Sequence, residues 1–209
     1  SGAAEAGSSV EVFIDGSSVG VTTADAGGLW TLLSTDYSGP ALSDGNTYAI
    51  TAQITDVAGN LSVASDAYIV TIDVTAPTVT IDNAITDDSG TDTTDRITND
   101  QELVLTGTVD DGVGVDTVEI YDGATLLGEA TVTGTTWSFT TGTLSGGTHN
   151  FTATATDVAG NTTTTPVALD VTLDIIGDKP AVTGVSTDSG SNTSDGITND
   201  TTLDISGTA

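Results

Sequence analysis

Cysteine and methionine are absent, and only two residues, Arg96 and Lys179, carry a fixed positive charge, each expected to pair with a nearby Asp. Without cysteine there is no disulfide and no thiolate metal site. Stability in a secreted setting must then come from packing, hydrogen bonds or bound ions. Without Lys and Arg no surface can grip a nucleic-acid backbone, and anionic lipid is disfavoured for the same reason. No apolar run approaches about 18 residues, so no segment reads as a membrane span. There is no initiator Met and no signal peptide, and the chain reads as an excised fragment. A single histidine, His149, has no cysteine or serine-centred motif beside it, so a structural role is expected of it and no catalytic residue is assigned. Acid pairs could serve a glycosidase, but end loops of a small domain offer no cleft.

Acid is what the chain has. Thirty Asp and Glu stand against two Lys and Arg, for a formal charge of −28 over 209 residues. Such a charge can signal disorder, yet the 36% of hydrophobic residues alternate in short runs. Only nine residues are aromatic, so the cores must be small. Of the acids 25 are Asp and five are Glu, a bias toward turns and short-armed cation coordination.

The chain repeats itself. DSGTDTTDRITND at 88–100 returns as DSGSNTSDGITND at 188–200, and TDVAGN at 55–60 returns at 156–161. TGTV at 106–109 returns as SGTA at 206–209, and SGAA opens the chain. Asp15-Gly16 and Trp30 return as Asp122-Gly123 and Trp137. A period near 100 residues is too long for a propeller blade or a helical solenoid unit and suits a whole β-sandwich. The expected units are 1–75, lacking its first strand, a complete 76–176, and 177–209, holding the first strands of a third. The two partial units together amount to about one unit. An excision or proteolysis boundary is the simpler account of them; head-to-tail complementation between two molecules is the other.

Strands are expected where β-branched runs alternate between turn residues: 77–85, 102–109, 117–122, 125–132, 136–141, 149–157 and 167–174. Phe151, Ala153 and Ala155 alternate with Thr152, Thr154 and Thr156, one face apolar and one hydroxylated. Trp137, Phe139, Leu103, Leu105 and Tyr121 are the expected core. Trp30 and Trp137 are read as core residues and not as sugar platforms. Nothing shows a sustained helical period. The expectation is all-β: tandem two-sheet sandwiches of about seven strands each. The junctions at 70–80 and 173–183 are short, and the residue before Pro77 should be extended, so an extended, semi-rigid rod is expected.

The Asp residues gather in loops. Asp110, Asp111, Asp157 and Asn161 should surround the incoming linker that carries Asp73. The loop holding Asp87, Asp88, Asp95 and Asp100 should lie at the opposite end, near Asp174 and Asp178. Like charges within about 4–6 Å raise one another's pKa or push the loops apart. A bound cation removes that cost, and Ca²⁺ takes about six to eight oxygens from such groups. One histidine and no cysteine argue against Zn²⁺. The bland alternative is that Asp and Asn are there as turn formers.

DVAGN before the last strand, the D-S-G…I-T-N-D loop, SGTA-like second strands and the 100-residue period resemble the bacterial immunoglobulin-like repeats of giant, biofilm-associated adhesins secreted by the type I route. That resemblance implies immunoglobulin-like sandwiches, an extracellular, cell-surface location, a spacer function and calcium near domain junctions. Neighbouring repeats of the same chain would be its partners, with any host or surface ligand bound by other domains. By position, Asp56, Asn60, Asp157 and Asn161 match the DVAGN motif. Asp88, Asp95 and Asp100 match the second loop, together with Asp188, Asp195 and Asp200. A calcium-dependent glycan- or ligand-binding sandwich is the alternative function.

Overall fold

A computed structural model of the chain describes residues 2–86, 88–185, 191–192, 195–199 and 201–208. The first unit contains β1 (Gly2–Ala3), β2 (Ser9–Ile14), β3 (Ser17–Thr23), β4 (Leu29–Trp30), β5 (Thr47–Thr55) and β6 (Tyr68–Thr71). The second contains β7 (Thr78–Val79), β8 (Ile97–Thr98), β9 (Val104–Asp110), β10 (Val115–Asp122), β11 (Thr125–Glu129), β12 (Thr131–Thr133), β13 (Thr136–Thr140), β14 (Gly147–Asp157), β15 (Thr162–Thr164) and β16 (Leu169–Leu173). Beyond them lie β17 (Ala181–Val185) and β18 (Ile205–Thr208). The chain is all-β, as expected, and built of tandem sandwiches.

In the second unit one sheet runs β11-β10-β14-β16-β8, with β15 also on β14, and the other runs β12-β13-β9-β7. Every pairing is antiparallel except β8 on β16. The core follows from period-two alternation: Val118 and Ile120 of β10 face inward beside Phe151, Ala153 and Ala155 of β14, with Leu103, Leu105 and Trp137 opposite. The Trp137 indole N–H donates to the Thr80 carbonyl at 2.9 Å, which satisfies the one polar atom of the largest buried side chain. Outside, Thr154 and Thr164 share a hydroxyl hydrogen bond of 2.8 Å.

Three expectations are corrected. The run 125–132 is not one strand: β11 pairs with β10 in one sheet and β12 with β13 in the other. The chain changes sheets between them, around buried Ala130 and after Gly128, whose φ of 153° suits glycine. Tyr121 is half-buried and outside the core, because Val118 and Ile120 hold the inward register and its hydroxyl donates to Glu119 at 2.9 Å. The Arg96 guanidinium donates to the side-chain carbonyl of Asn83 and is paired with no acid. Among the described residues the only ion pair is His149 with Asp122.

In the first unit, β3-β2-β5-β6 form one sheet and β1-β4 the other. Among the described residues, the C-terminal strands β17 and β18 pair with each other and with no other strand.

Candidate metal centre at the junction

Asp73 is carried on the linker, Asp111 follows β9, and Asp157 ends β14. One carboxylate oxygen from each lies within 4.8 Å of the other two. Each acid is set in place by its own turn. Asp157 Oδ1 accepts the Asn161 backbone N–H at 2.8 Å and its Oδ2 the Asn161 amide at 2.9 Å. Asp111 Oδ2 accepts the N–H groups of Val113 and Gly114 at 2.9 and 2.8 Å. Thr75 N–H donates to Asp73 Oδ1 at 3.2 Å, while Asp73 Oδ2 is buried with no hydrogen-bond partner.

The electrostatics divide these acids. Burial, then the negative charges of Asp111, Asp157 and Asp44, push the Asp73 carboxyl above its ordinary value of 3.8. Burial also pushes Asp157 up, but the Asn161 hydrogen bonds and the turn N–H groups outweigh it and hold the group below 3.8. The site is therefore an ionised, buried Asp157 beside a linker carboxylate whose charge is opposed. Its donors are all hard oxygens, the set that suits Ca²⁺ and not Zn²⁺. Ligands on opposite sides of a Ca²⁺ lie about 4.8 Å apart when each bond is about 2.4 Å, so the three residues fit such an ion, with the orphaned Asp73 oxygen free to serve.

Asp110, expected here, ends β9 exposed and is outside the trio. Asp44 was missed. Its Oδ1 accepts Val74 N–H at 2.8 Å and its Oδ2 the Thr75 hydroxyl, which ties the linker back to the first unit. Its Asp44-Gly45 setting looked like an ordinary turn, and only the fold puts it under the linker.

The other expected residues distribute differently. Asp56 repeats the Asp157 turn, accepting the Asn60 N–H at 2.7 Å and the Asn60 amide at 2.6 Å. These bonds hold it below 3.8, and no other acid joins it in a cluster among the described residues. Asp95 and Asp174, with Ser89, Asp92 and Thr98, line a shallow cavity of about 260 Å³. Asp88 Oδ2 accepts the Arg96 N–H at 2.8 Å, and its Oδ1 is buried without a partner. Asp95 and Asp195 make the same turn, each accepting the N–H two residues on, at 3.0 and 3.1 Å. Asp100 caps Glu102 in that way at 3.0 Å. Asp178 is exposed. Asp87, Asp188 and Asp200 lie outside the described residues.

His149 is buried away from all of these. Its Nδ1 meets Asp122 Oδ2 at 2.6 Å, its Nε2 faces the Ser145 carbonyl at 2.9 Å, and its ring stacks on Phe151. Two acceptors on one ring favour the doubly protonated form. Burial alone would lower the pKa, but these bonds raise it above 6.5.

Residues 1–74 and 75–175 each match the bacterial Ig-like domain family. The chain belongs to that family. It is 35% identical over 130 residues to chitinase A1 of Niallia circulans, a match covering 62% of this chain and 18% of the chitinase. The chain thus spans less than a fifth of that relative's length. Among solved structures it is similar to the tetra-tandem repeat in the extending region of a large adhesion protein, with 25% identity, 88% of this chain and 46% of the other covered, and a TM-score of 0.36. It is also similar to a Ca²⁺-stabilized adhesin of an Antarctic bacterium that binds ice, with 24% identity, 83% and 41% covered, and a TM-score of 0.34. Fibronectin(III)-like modules of Clostridium thermocellum CbhA give 23% identity, 48% and 99% covered, and a TM-score of 0.38. These loose superpositions bear on nothing further about the chain.

Proposed function

We propose that the chain is a non-catalytic extender segment of a bacterial cell-surface adhesin, in which Ca²⁺ held by Asp73, Asp111 and Asp157 locks the first unit against the second. The observation that carries this reading is the linker carboxylate itself: Asp73 Oδ2 is buried, unpartnered and set against two acids of the next unit. Two Ig-like units in series support the extender role. The net charge of −28 suits an exposed, soluble chain. Without a cation the junction acids repel and the hinge swings; with one they share it and the hinge stiffens. Close pairs still repel at physiological salt, where screening acts over about 8 Å.

Calcium titration by calorimetry on the chain and on Asp111→Asn is the test. A saturable site that the substitution removes is expected, together with a longer or narrower distribution of molecular dimensions in small-angle scattering when calcium is added. Calcium-independent scattering and no bound heat would overturn the reading.

A further inference from the structure

Five steps in the chain join Asp to Gly, at 15–16, 44–45, 111–112, 122–123 and 195–196. Such a step is chemically fragile, because glycine has no Cβ to shield its nitrogen from the carboxyl group of the residue before it. The fold ties three of the five down. Asp44 directs its carboxylate to Val74 N–H and the Thr75 hydroxyl, and Asp122 directs its own to Asn150 N–H and His149. The glycine N–H groups of these two steps are bonded as well, Gly45 to the Ile72 carbonyl at 2.8 Å and Gly123 to the Asn150 carbonyl at 2.9 Å. Asp15 accepts Ala49 N–H on its carboxylate at 2.9 Å and donates its own N–H to the Ala49 carbonyl at 3.0 Å. In all three the carboxylate is engaged with a distant part of the chain.

Asp111 is the opposite case. Its Oδ2 accepts the N–H groups of Val113 and Gly114 at 2.9 and 2.8 Å. The carboxylate is thus folded back over its own chain, and the turn that these bonds close encloses the Gly112 peptide. The Gly112 N–H has no hydrogen-bond partner among the described residues, and Gly112 is exposed. The two donors on Oδ2 stand at the distance from which paired backbone N–H groups stabilise charge on an oxygen of a tetrahedral intermediate. One turn therefore supplies an untethered nitrogen, a carboxyl carbon beside it and a preformed pair of donors for the carboxyl oxygen. Asp195 folds back in the same sense, onto Ile197 N–H at 3.1 Å, and stands nearer to Asp111 than to the other three.

We propose that Asp111-Gly112 is a site of spontaneous backbone isomerisation, and that Ca²⁺ at the junction protects it; the second part rests on the reading of Asp73, Asp111 and Asp157 as a Ca²⁺ centre. The Gly112 nitrogen bonds to Asp111 Cγ, and one Asp111 carboxylate oxygen leaves with the Gly112 amide proton as hydroxide, which closes a five-membered succinimide. Water then opens the ring. Addition at the side-chain carbonyl restores aspartate, and addition at the backbone carbonyl leaves isoaspartate. Nothing is oxidised or reduced, and water is the one co-reactant. Isoaspartate runs the backbone through the side-chain methylene, so the chain lengthens by one carbon and the carboxylate arm shortens by one. The Val113 and Gly114 donors and the other two acids then no longer converge on that carboxylate. An ion shared by the three acids holds the group that has to react, so the modification is a covalent record of time spent without calcium.

The test is to age the folded chain in heavy-oxygen water, in chelator and in excess calcium, and to map isoaspartate by electron-transfer fragmentation of its peptides. In chelator, isoaspartate carrying heavy oxygen should accumulate at 111 severalfold faster than at 15, 44 and 122, whereas in denaturant those four steps should react at similar rates. Calcium should slow the reaction at 111 severalfold and leave 15, 44 and 122 unchanged. Gly112→Ala should suppress isoaspartate at 111 in chelator. A Cβ at that position meets nothing within 4 Å, so the fold and the three acids stay in place. A rate at 111 no higher than at 44 and 122 in the folded chain, or an unchanged rate in Gly112→Ala, would overturn the modification site. Calcium bound by calorimetry without slowing at 111 overturns the protection and leaves the junction reading standing. Fast reaction at 111 in a chain that binds no calcium supports the modification site and sinks the junction reading alone.

Discussion

The Asn161 side chain donates to the Asp73 carbonyl at 3.3 Å while it also donates to Asp157 Oδ2 at 2.9 Å. One amide thus reads the position of the linker backbone and orders a carboxylate of the candidate metal centre. Asp44 holds the same three-residue linker from the first unit. Both units thus bond residues 73–75 through side chains, contacts that a shared ion would reinforce against the repulsion of the acids.

Asn161→Ala should loosen that junction. It strips the buried Asp157 carboxylate of its side-chain donor, at a cost of about 1–3 kcal/mol. The expected result is a lower melting temperature for the second unit and a broader distribution of dimensions in small-angle scattering. Asn60→Ala, at the matching turn of the first unit, should leave the scattering unchanged, because Asn60 is not bonded to the linker.

Asp73 should make metal-free stability depend on pH in a particular direction. Its folded pKa is raised, so the stability it contributes is present below 3.8 and lost as pH rises through the raised value. Asp157 runs the other way: its folded pKa is lowered, and its contribution is present above 3.8 and lost as pH falls through the lowered value. In chelator, acidification from neutral pH toward the Asp73 window should therefore raise the melting temperature, and Asp73→Asn should flatten that rise. At neutral pH, calcium should stabilise the parent chain by mass action and Asp73→Asn less. Thermal melts in a pH series with and without calcium decide both points.

His149 offers a second pH signature, within the second unit. Its folded pKa lies above 6.5, so its pairing with Asp122 stabilises fully below 6.5 and fades as pH rises through the folded value. His149→Gln should remove this slope while leaving calcium binding intact. Histidine titration by NMR, with one histidine in the chain, reports the folded value directly; a value below 6.5 would refute the assignment.

The two tryptophans should differ in worth despite their matching places in the repeat. Trp137 is buried, so Trp137→Ala should cost about 3–5 kcal/mol. Trp30 is half-buried at the rim of a groove, and its loss should cost clearly less. Domain-resolved melting of the two variants measures the difference.

Much of this was legible because it is local. Alternation at 149–157 placed Phe151, Ala153 and Ala155 inward, and Asp-Gly turns marked strand ends. The repeat of Asp-Arg-Ile-Thr as Asp-Gly-Ile-Thr was visible, but only the structure shows that Arg96 and Gly196 share a left-handed backbone, with φ of 63° and 76°. The trio at the junction was half legible. Asp73, Asp111, Asp157 and Asn161 were expected together, but Asp110 was included and Asp44 was not. Neighbouring residues on a strand end point in opposite directions, which separates Asp110 from Asp111, and Asp44 meets the linker across 30 residues of chain. The switch of sheets between β11 and β12 was invisible for a related reason, since a run of β-branched residues does not say which sheet it joins.

The sequence by itself determined the all-β class, the 100-residue period and the absence of thiol and basic chemistry, because composition and period-two patterning act over a few residues at a time. Only the tertiary structure decided which acids converge and which oxygen is left buried without a partner. Those are consequences of packing elements far apart in the chain, where a one-residue shift in register reverses what a side chain meets.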